Sequence, residues 1–206
     1  MNTGRLIAFE GIDGCGKSTQ LERLVSRLRA AGHDVVATAE PTRGEWGQRI
    51  REMAGSGSAV SAEQELRWFS EDRREHVARV IAPGLEAGRV IVTDRYYLSS
   101  VAYQGARGLD WREILATSEA EFPRPHLVLL LEIGVSDGLS RVHRRTAALE
   151  TVFEDADRLA QVAEIFSALH CSYLERVPAA GPPAEVEAAI RAAVERRLGL
   201  ESGDVG

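Results

Sequence analysis

A glycine-rich stretch near the N-terminus constrains the fold of this chain more than any other feature. Residues from Gly11 to Ser18 fit the pattern G-x-x-x-x-G-K-[S/T], in which glycines let backbone N–H groups turn inward around phosphate oxygens. An apolar run of strand length precedes the pattern at 6–9, and residues 18–31 carry an apolar stripe at helical spacing. A strand, a glycine loop and a helix N-terminus form an anion site, which favours a phosphate-binding loop over an ordinary glycine turn.

Two side chains at the end of this loop suit a bound nucleoside triphosphate. The Lys17 ammonium group can reach the β- and γ-phosphates, and the Ser18 hydroxyl can take a position on Mg²⁺. The residues of the loop that are predicted to bind the nucleotide are Gly11, Ile12, Asp13, Gly14, Cys15, Gly16, Lys17, Ser18 and Thr19.

Composition argues against several classes of protein. The 206 residues carry a net charge of −6, which disfavours a surface for duplex nucleic acid but not a site for a small phosphorylated substrate. No apolar run approaches membrane-spanning length, and the first residues do not resemble a secretory leader, so we expect no membrane partner. Two cysteines, Cys15 and Cys171, make neither a disulfide framework nor a metal quartet, so we expect a cytoplasmic protein.

Strands and helices alternate along the rest of the chain. Apolar or β-branched runs predict further strands at 34–39, 89–93 and 126–132. Ser61 and Gln64 fit a capping box before a long helical pattern. The helical segments predicted in this part of the chain are 62–81, 135–145, 157–175 and 184–198. The alternation predicts one α/β domain over 1–206, with a parallel sheet covered by helices on both faces.

Three motifs fall at the carboxyl ends of predicted strands, where ligands bind in a parallel sheet. They are the glycine loop, Glu40-Pro41 and Asp94-Arg95-Tyr96. Together with Phe69 to Arg73, which has the form F-x-x-x-R, they resemble motifs of the thymidylate kinase family in the family's order. The most specific piece is the D-R-Y sequence followed by S-x-A-Y-Q-G from Ser100 to Gly105. The resemblance runs from residue 5 to residue 176.

The resemblance implies an ATP-dependent dTMP kinase with the P-loop nucleoside-monophosphate kinase fold. It also implies Mg²⁺ as the cofactor, ATP and dTMP as small-molecule substrates, and a homodimer. Two other functions stay open, a kinase for another nucleoside monophosphate and a P-loop NTPase or regulator that transfers no phosphate to a metabolite. The residues of a second nucleotide pocket argue against the regulator.

Phosphoryl transfer requires two phosphates in line with their charge neutralised. On the resemblance, Lys17 serves the donor, Arg95 holds the acceptor phosphate and Asp13 lies beside the transferring group. Ser18 and Asp94 are the predicted metal residues. Plainer alternatives are a structural arginine paired with a carboxylate for Arg95 and a turn residue for Asp13.

The same resemblance assigns a pocket for the acceptor base and sugar. Phe69 offers a surface for stacking, although core packing is the alternative for this side chain alone. Arg73, with Ser100 and Gln104, faces the base edge, and Tyr103 crowds the 2′ position of the sugar. The predicted substrate-binding residues are Glu40, Pro41, Phe69, Arg73, Arg95, Ser100, Tyr103 and Gln104.

A basic segment at 141–154 corresponds to the family's mobile lid. Because the variable positions of the glycine loop carry no arginine, we predict that Arg145 or Arg144 supplies catalytic charge and that Arg141 binds ATP. A solvated basic helix end is the alternative. The lid also departs from the family at 151–154, where an expected arginine is missing. The predicted catalytic residues are Lys17, Arg95, Asp13, Arg145 and Arg144.

Two further expectations concern single segments. The stretch 174–183 has three prolines and no β-branched run, so we expect the family's fifth, edge strand to be missing and adenine recognition to be looser. Cys15 lies at a helix start among backbone N–H groups, which should lower its thiol pKa and make it more reactive than Cys171, although a small filler residue is the alternative.

Overall fold

Five parallel strands form the centre of the protein. The structure, a computed structural model, describes residues 4–56, 60–146 and 152–201, with side chains throughout except at 56, 143–146 and 152–155. The sheet order is β2-β3-β1-β4-β5, and every neighbouring pair is parallel. The strands are β1 (Arg5–Glu10), β2 (Val35–Ala39), β3 (Val90–Asp94), β4 (Leu127–Glu132) and β5 (Leu174–Pro178).

Helices flank this sheet, as the alternating sequence pattern predicts. They are α1 (Lys17–Ala30), α2 (Glu45–Ser56), α3 (Ala62–His76), α4 (Ala82–Glu86), α5 (Tyr97–Gly105), α6 (Trp111–Glu121), α7 (Val135–Thr146), α8 (Val152–Ala168) and α9 (Pro183–Leu198). Within the described ranges, no helix is both long and apolar enough to cross a membrane.

The central strands bring the predicted site motifs to one edge of the sheet. Residues 6–9 of β1 and 127–131 of β4 are buried, as expected of strands covered on both faces. Phe9 pairs with Asp94 on one side and with Leu129 on the other. The loop after β1 and the turn after β3 therefore lie side by side.

The long helix predicted at 62–81 has an irregular second half. Its start is as predicted, because the Ser61 hydroxyl accepts a hydrogen bond from the Gln64 N–H. The α-helix ends at His76 and continues as a π-helical turn over Val77–Ile81 before α4. The Ala82 N–H bonds to the Val77 carbonyl, five residues back, and Pro83 has no N–H to continue an α-helical ladder.

The expectation of a missing fifth strand is wrong. Leu174–Pro178 forms β5, paired with β4 from Val128 opposite Leu174 to Glu132 opposite Pro178. An edge strand tolerates a proline at its end because fewer of its N–H groups have strand partners. The helix predicted at 157–175 extends too far. Helix α8 ends at Ala168, and residues 174 and 175 belong to β5.

Candidate active site

The glycine loop has backbone geometry that only glycine adopts readily. Gly11, Gly14 and Gly16 have φ angles of 136°, 81° and 96°. A Cβ on Gly14 would lie 2.2 Å from the Gly138 carbonyl oxygen at the start of α7. Close packing against α7 and positive φ angles therefore fix the form of the loop.

Lys17 is folded back over this loop. Its side chain is nearly buried, and Nζ donates to the carbonyl oxygens of Gly11 and Ile12 at 3.0 Å each. The ammonium group also lies 3.6 Å from the Cys15 sulfur. The loop thus holds a positive charge at the helix N-terminus, where anions bind.

The Cys15 expectation is wrong. Its side chain is buried, and burial raises the pKa of its thiol although the nearby Lys17 charge acts in the opposite direction. Cys171 is half-buried in the connection between α8 and β5 rather than in a helix, and burial raises the pKa of its thiol as well. A helix N-terminus lowers a thiol pKa only where desolvation does not outweigh it.

Two hard oxygen ligands meet beside Lys17. The Ser18 hydroxyl donates to the Asp94 carboxylate at 2.5 Å, which joins the start of α1 to the end of β3. Among the described residues, no group of three His, Cys, Asp or Glu side chains could hold a metal ion. The pair can therefore supply only part of a coordination shell.

Arg95, Asp13 and Tyr103 form a second cluster in the same region. Arg95 Nη2 lies 2.6 Å from Asp13 Oδ1, and the Tyr103 hydroxyl donates to Asp13 Oδ2 at 3.1 Å. The Arg95 guanidinium lies 5.0 Å from the centre of the Tyr103 ring. Burial alone would raise the pKa of Asp13, but the charges of Arg95 and Lys17 hold it below its usual value.

Arg95 has the αL backbone conformation, with φ of 70°, and in the described part of the chain no other non-glycine residue has positive φ. Its N–H donates to the Phe9 carbonyl at 2.9 Å, and its carbonyl accepts from the Thr93 hydroxyl at 2.8 Å. Strained backbone of this kind persists when surrounding contacts enforce it, and it is common at functional sites. The carboxylate pairing expected of a structural arginine is present, but its partner Asp13 belongs to the glycine loop.

The predicted base-edge residues form a buried network. Arg73 is 1% exposed, and its Nε and Nη2 donate to Glu40 Oε2 at 2.9 and 2.7 Å. Nη2 also donates to the Ser100 hydroxyl at 3.1 Å. The Glu40 carboxylate precedes a cis peptide bond to Pro41, and its Oε1 lies 2.9 Å from His76 Nδ1. These contacts join β2, α3 and α5.

Two polar atoms in this network lack a partner. Neither Arg73 Nη1 nor Gln104 Oε1, both buried, has a hydrogen-bond partner in the part of the chain that the structure describes. Gln104 lies one helical turn after Ser100 on α5, and half-buried Phe69 lies one turn before Arg73 on α3. Buried polar atoms are nearly always hydrogen-bonded, so these two are suited to a ligand.

A cavity of about 590 Å³ lies over the glycine loop and reaches Glu40 and Arg95. The residues that line it are Asp13, Gly14, Cys15, Gly16, Lys17, Ser18, Thr19, Gln20, Ala39, Glu40, Asp94, Arg95, Arg141, Ala179, Gly181, Pro183 and Val186. Phe69, Arg73, Ser100, Tyr103 and Gln104 do not line this cavity. The structure thus brings the predicted phosphate-binding residues together around one cavity, whereas the predicted base-edge residues lie outside its lining.

Of the residues predicted for the lid, the structure describes the side chain of Arg141 but not those of Arg144 and Arg145. Arg141 lies on α7 and lines the cavity, and its guanidinium donates to the carbonyl oxygens of Ala179 and Ala180 at 3.4 Å. The side chains of Arg144 and Arg145 fall outside the description, as does residue 151.

Sequence reasoning assigned no role to two buried charged residues here, Glu10 and Asp72. Asp72 is 1% exposed and accepts from the Thr42 N–H at 2.7 Å and from the Thr42 hydroxyl at 2.5 Å, which ties the loop after Pro41 to α3. Glu10 is fully buried at the end of β1. A glutamate in an otherwise apolar strand was the available signal for Glu10.

Comparison with known proteins gives one consistent family. A family model for thymidylate kinase matches residues 9–190. A thymidylate kinase of Desulfotalea psychrophila is 45% identical over 178 residues, which cover 86% of this chain and 88% of the relative. A thymidylate kinase of Akkermansia muciniphila is 43% identical over 195 residues, covering 95% and 93%. One of Xanthomonas euvesicatoria pv. vesicatoria is 46% identical over 166 residues, covering 81% and 72%.

Proposed function

The chain belongs to the thymidylate kinase family, and we propose that one P-loop domain carries both of its nucleotide sites. The reaction is transfer of the γ-phosphoryl group of ATP to dTMP, which gives dTDP. In phosphoryl transfer, protein groups mainly hold the two phosphates in line and neutralise their charge. The contacts of the individual residues support the roles proposed for them below.

The donor nucleotide binds in the cavity over the glycine loop. Loop N–H groups and Lys17 hold the phosphates, and Arg141 lines the far wall beside the connection from β5 to α9. Positive charge at the transferring phosphoryl group comes from Lys17, Arg95 and a lid arginine, for which Arg144 and Arg145 are the candidates.

Ser18 and Asp94 fit a bound Mg²⁺ ion. Mg²⁺ usually takes one or two protein oxygens and completes its shell with water and substrate phosphates, so this pair of hard oxygens is sufficient. A bound Mg²⁺ would neutralise phosphate charge and orient the phosphates, with no activated water required. Loss of turnover in EDTA, restored by added Mg²⁺, is the expected behaviour.

The acceptor phosphate binds to Arg95. The guanidinium lies on the cavity wall beside Asp13, so it can approach a phosphate held opposite the donor. The Tyr103 ring lies against the Arg95 guanidinium, and its hydroxyl is bonded to Asp13. On the family resemblance, Tyr103 crowds the 2′ position of the sugar, which favours deoxyribose. Asp13 then lies between the two nucleotides.

The assignment of thymine as the base is supported by two buried atoms without a hydrogen-bond partner among the described residues, Arg73 Nη1 and Gln104 Oε1. Arg73 Nη1 is a donor and Gln104 Oε1 is an acceptor, and the described residues leave both without a partner. Thymine presents the complementary pair, the O4 acceptor and the N3–H donor. Cytosine presents an amino group and an unprotonated N3, so both contacts would be mismatched. Phe69, one turn from Arg73, supplies the stacking surface.

A coupled ADP-release assay tests this function. The monophosphates dTMP, dUMP, UMP and dCMP are compared with a reaction that contains no acceptor. We expect dTMP to rank above dUMP, dUMP above UMP, and all three well above dCMP. Release of ADP without any acceptor would support an NTPase instead, and a preference for dCMP would overturn the thymine assignment.

Variants at the two ends of β3 provide a matched control. Arg95→Ala should reduce turnover by at least about a hundredfold, because it removes charge stabilisation in the transition state. Arg89→Ala removes an exposed arginine at the opposite end of β3, where its partner is the exposed Asp34, and should leave turnover unchanged. Equal turnover in both variants would exclude Arg95 from the site.

We also propose a cytoplasmic homodimer. The dimer follows from the family resemblance, and the cytoplasm from a chain with two free cysteines, Cys15 and Cys171. Light scattering after size-exclusion chromatography should give twice the mass of the 22.5 kDa chain. A mass of one chain at micromolar concentration would contradict the dimer.

A further inference from the structure

Glu10 is a buried carboxylate without a role in the functions assigned above. It is the last residue of β1 and is 0% exposed. Its Oε1 accepts hydrogen bonds from the N–H groups of Tyr96 at 2.9 Å and Ser99 at 3.0 Å. Its Oε2 accepts from the Ser99 hydroxyl at 2.6 Å. Three donors converge on this group, which is the pattern that suits an ionised carboxylate.

These bonds replace a missing helix cap. The N-cap residue of α5 is Tyr96, which makes no side-chain capping bond, so N–H groups at the helix start need another acceptor. Glu10 supplies that acceptor from β1, and its negative charge is favourable at a helix N-terminus. Helix α5 carries Ser100, Tyr103 and Gln104, so Glu10 holds the start of the helix that bears three of the proposed acceptor-binding residues.

A second chain of contacts leads from Glu10 to Arg95. The Ser99 hydroxyl donates to Glu10 and accepts from Arg95 Nη1 at 2.9 Å. Arg95 Nη2 is held separately by Asp13. The orientation of the guanidinium is therefore fixed at two points, one on the glycine loop and one on Ser99.

We propose that ionised Glu10 is a positioning residue for acceptor binding, which acts through Ser99 on Arg95 and through the backbone on the start of α5. The proposal rests on the acceptor role of Arg95. Glu10 does not line the cavity over the glycine loop. Its effect should appear in the use of dTMP and not in the binding of ATP.

The protonation state of Glu10 changes near neutral pH. Burial raises the pKa of its carboxyl to about 7, although the Ser99 hydrogen bond, the Arg95 charge and the two N–H groups all act to lower it. Arg95 is the charged side chain that acts on Glu10. In the glycine loop, Lys17 donates to the Gly11 and Ile12 carbonyls and Asp13 is bonded to Arg95, and at the end of β3 Asp94 is bonded to Ser18. On β4, Glu10 is opposite an apolar residue, Leu130.

Protonation would reverse the hydrogen bond between Glu10 and Ser99. A protonated Oε2 would donate to the Ser99 oxygen, which would then accept from both Glu10 and Arg95, and the Ser99 hydroxyl hydrogen would lose its carboxylate acceptor. Arg95 would also lose the attraction of a buried negative charge. The acceptor site should therefore be better ordered above pH 7 than below it.

The test compares wild type with Glu10→Gln between pH 6 and pH 9. Glutamine has nearly the shape of a protonated glutamate, so the ratio of kcat/KM for dTMP, wild type over variant, reports the ionised carboxylate. Ionisation of the substrates cancels in this ratio. If the ionised group contributes one charge-assisted hydrogen bond, we expect a ratio of about two at pH 6 and about ten at pH 8.5. The KM for ATP should change little.

A second variant covers the case in which Glu10→Gln does not fold, judged by circular dichroism. Ser99→Ala removes the hydroxyl that links Glu10 to Arg95, so the ratio of wild type to this variant should also rise with pH. A ratio that stays constant across this range, or an equal change in KM for ATP and dTMP, would overturn the proposal. Wild-type turnover that does not depend on dTMP would overturn the proposed function instead.

Discussion

Glu10 should also make the stability of the protein depend on pH in a direction opposite to most carboxylates. Its pKa is about 7 in the folded protein, above the ordinary value of 4.5. A raised pKa means that the folded protein binds the proton more tightly than the unfolded chain. The stabilising contribution is therefore fully present below pH 4.5 and is lost as the pH rises through 7.

The size of this effect follows from the same two values. The interval between 4.5 and about 7 corresponds to on the order of 3 kcal/mol of unfolding free energy. For a chain of this length, that is about 10 °C in melting temperature. Glu10→Gln removes the ionisable group, so its stability relative to wild type should rise by this amount between pH 4.5 and pH 8.

Urea unfolding followed by circular dichroism measures the difference. Wild type and Glu10→Gln are compared at each pH, so that other titrating groups cancel. The variant should gain in relative stability as pH rises, while the same change lowers its use of dTMP. A difference in unfolding free energy that is the same at pH 5 and pH 8 would refute the reasoning, because Glu10 would then have an ordinary pKa.

Three further perturbations test other parts of the site. Arg73→Met should lower the unfolding free energy by about 3–5 kcal/mol, because it removes an ion-pair partner of the buried Glu40 carboxylate. Arg74→Met changes the next, exposed arginine and should lower it by under about 1 kcal/mol. Equal losses of unfolding free energy in urea would contradict a buried pair between Arg73 and Glu40. Maleimide labelling followed by mass spectrometry should modify half-buried Cys171 before buried Cys15, and the reverse order would show that the glycine loop opens readily. Tyr103→Ala should relax the preference for dUMP over UMP, which Tyr103→Phe should preserve; an unchanged ratio of kcat/KM in the alanine variant would remove Tyr103 as the sugar gate.

Local sequence signals predicted the parts of the structure that local chemistry decides. The α/β fold, the family and the activity are confirmed. They were predictable because the glycine spacing, the apolar runs and the D-R-Y sequence are short motifs whose structure depends mainly on neighbouring residues in the chain. The loop after Phe9 and the turn at Asp94 are neighbours because β1 and β3 are paired, whereas the strand–helix alternation predicted only that both lie at the carboxyl edge of a parallel sheet. The roles of the individual site residues stay predictions.

The features that sequence reasoning missed depend on tertiary contacts. β5 forms at Leu174–Pro178 because β4 offers it a partner, which outweighs the prolines that argued against a strand. Burial of Cys15 outweighs the helix N-terminus that should have activated it. Glu10 caps a helix whose N-cap residue, Tyr96, lies 86 residues further along the chain, so no local sequence pattern could predict the contact.

The thymine assignment is tested most directly with dTMP that carries a methyl group on N3. This analogue keeps the sugar, the phosphate and O4, and a methyl group replaces the N3–H whose hydrogen bond Gln104 Oε1 is proposed to accept. Its kcat/KM, measured beside those of dTMP and dCMP, should fall by at least about a hundredfold, as should that of dCMP, because buried polar groups would be left unpaired. If either compound is used within about tenfold of dTMP, Arg73 and Gln104 do not recognise the edge of the base.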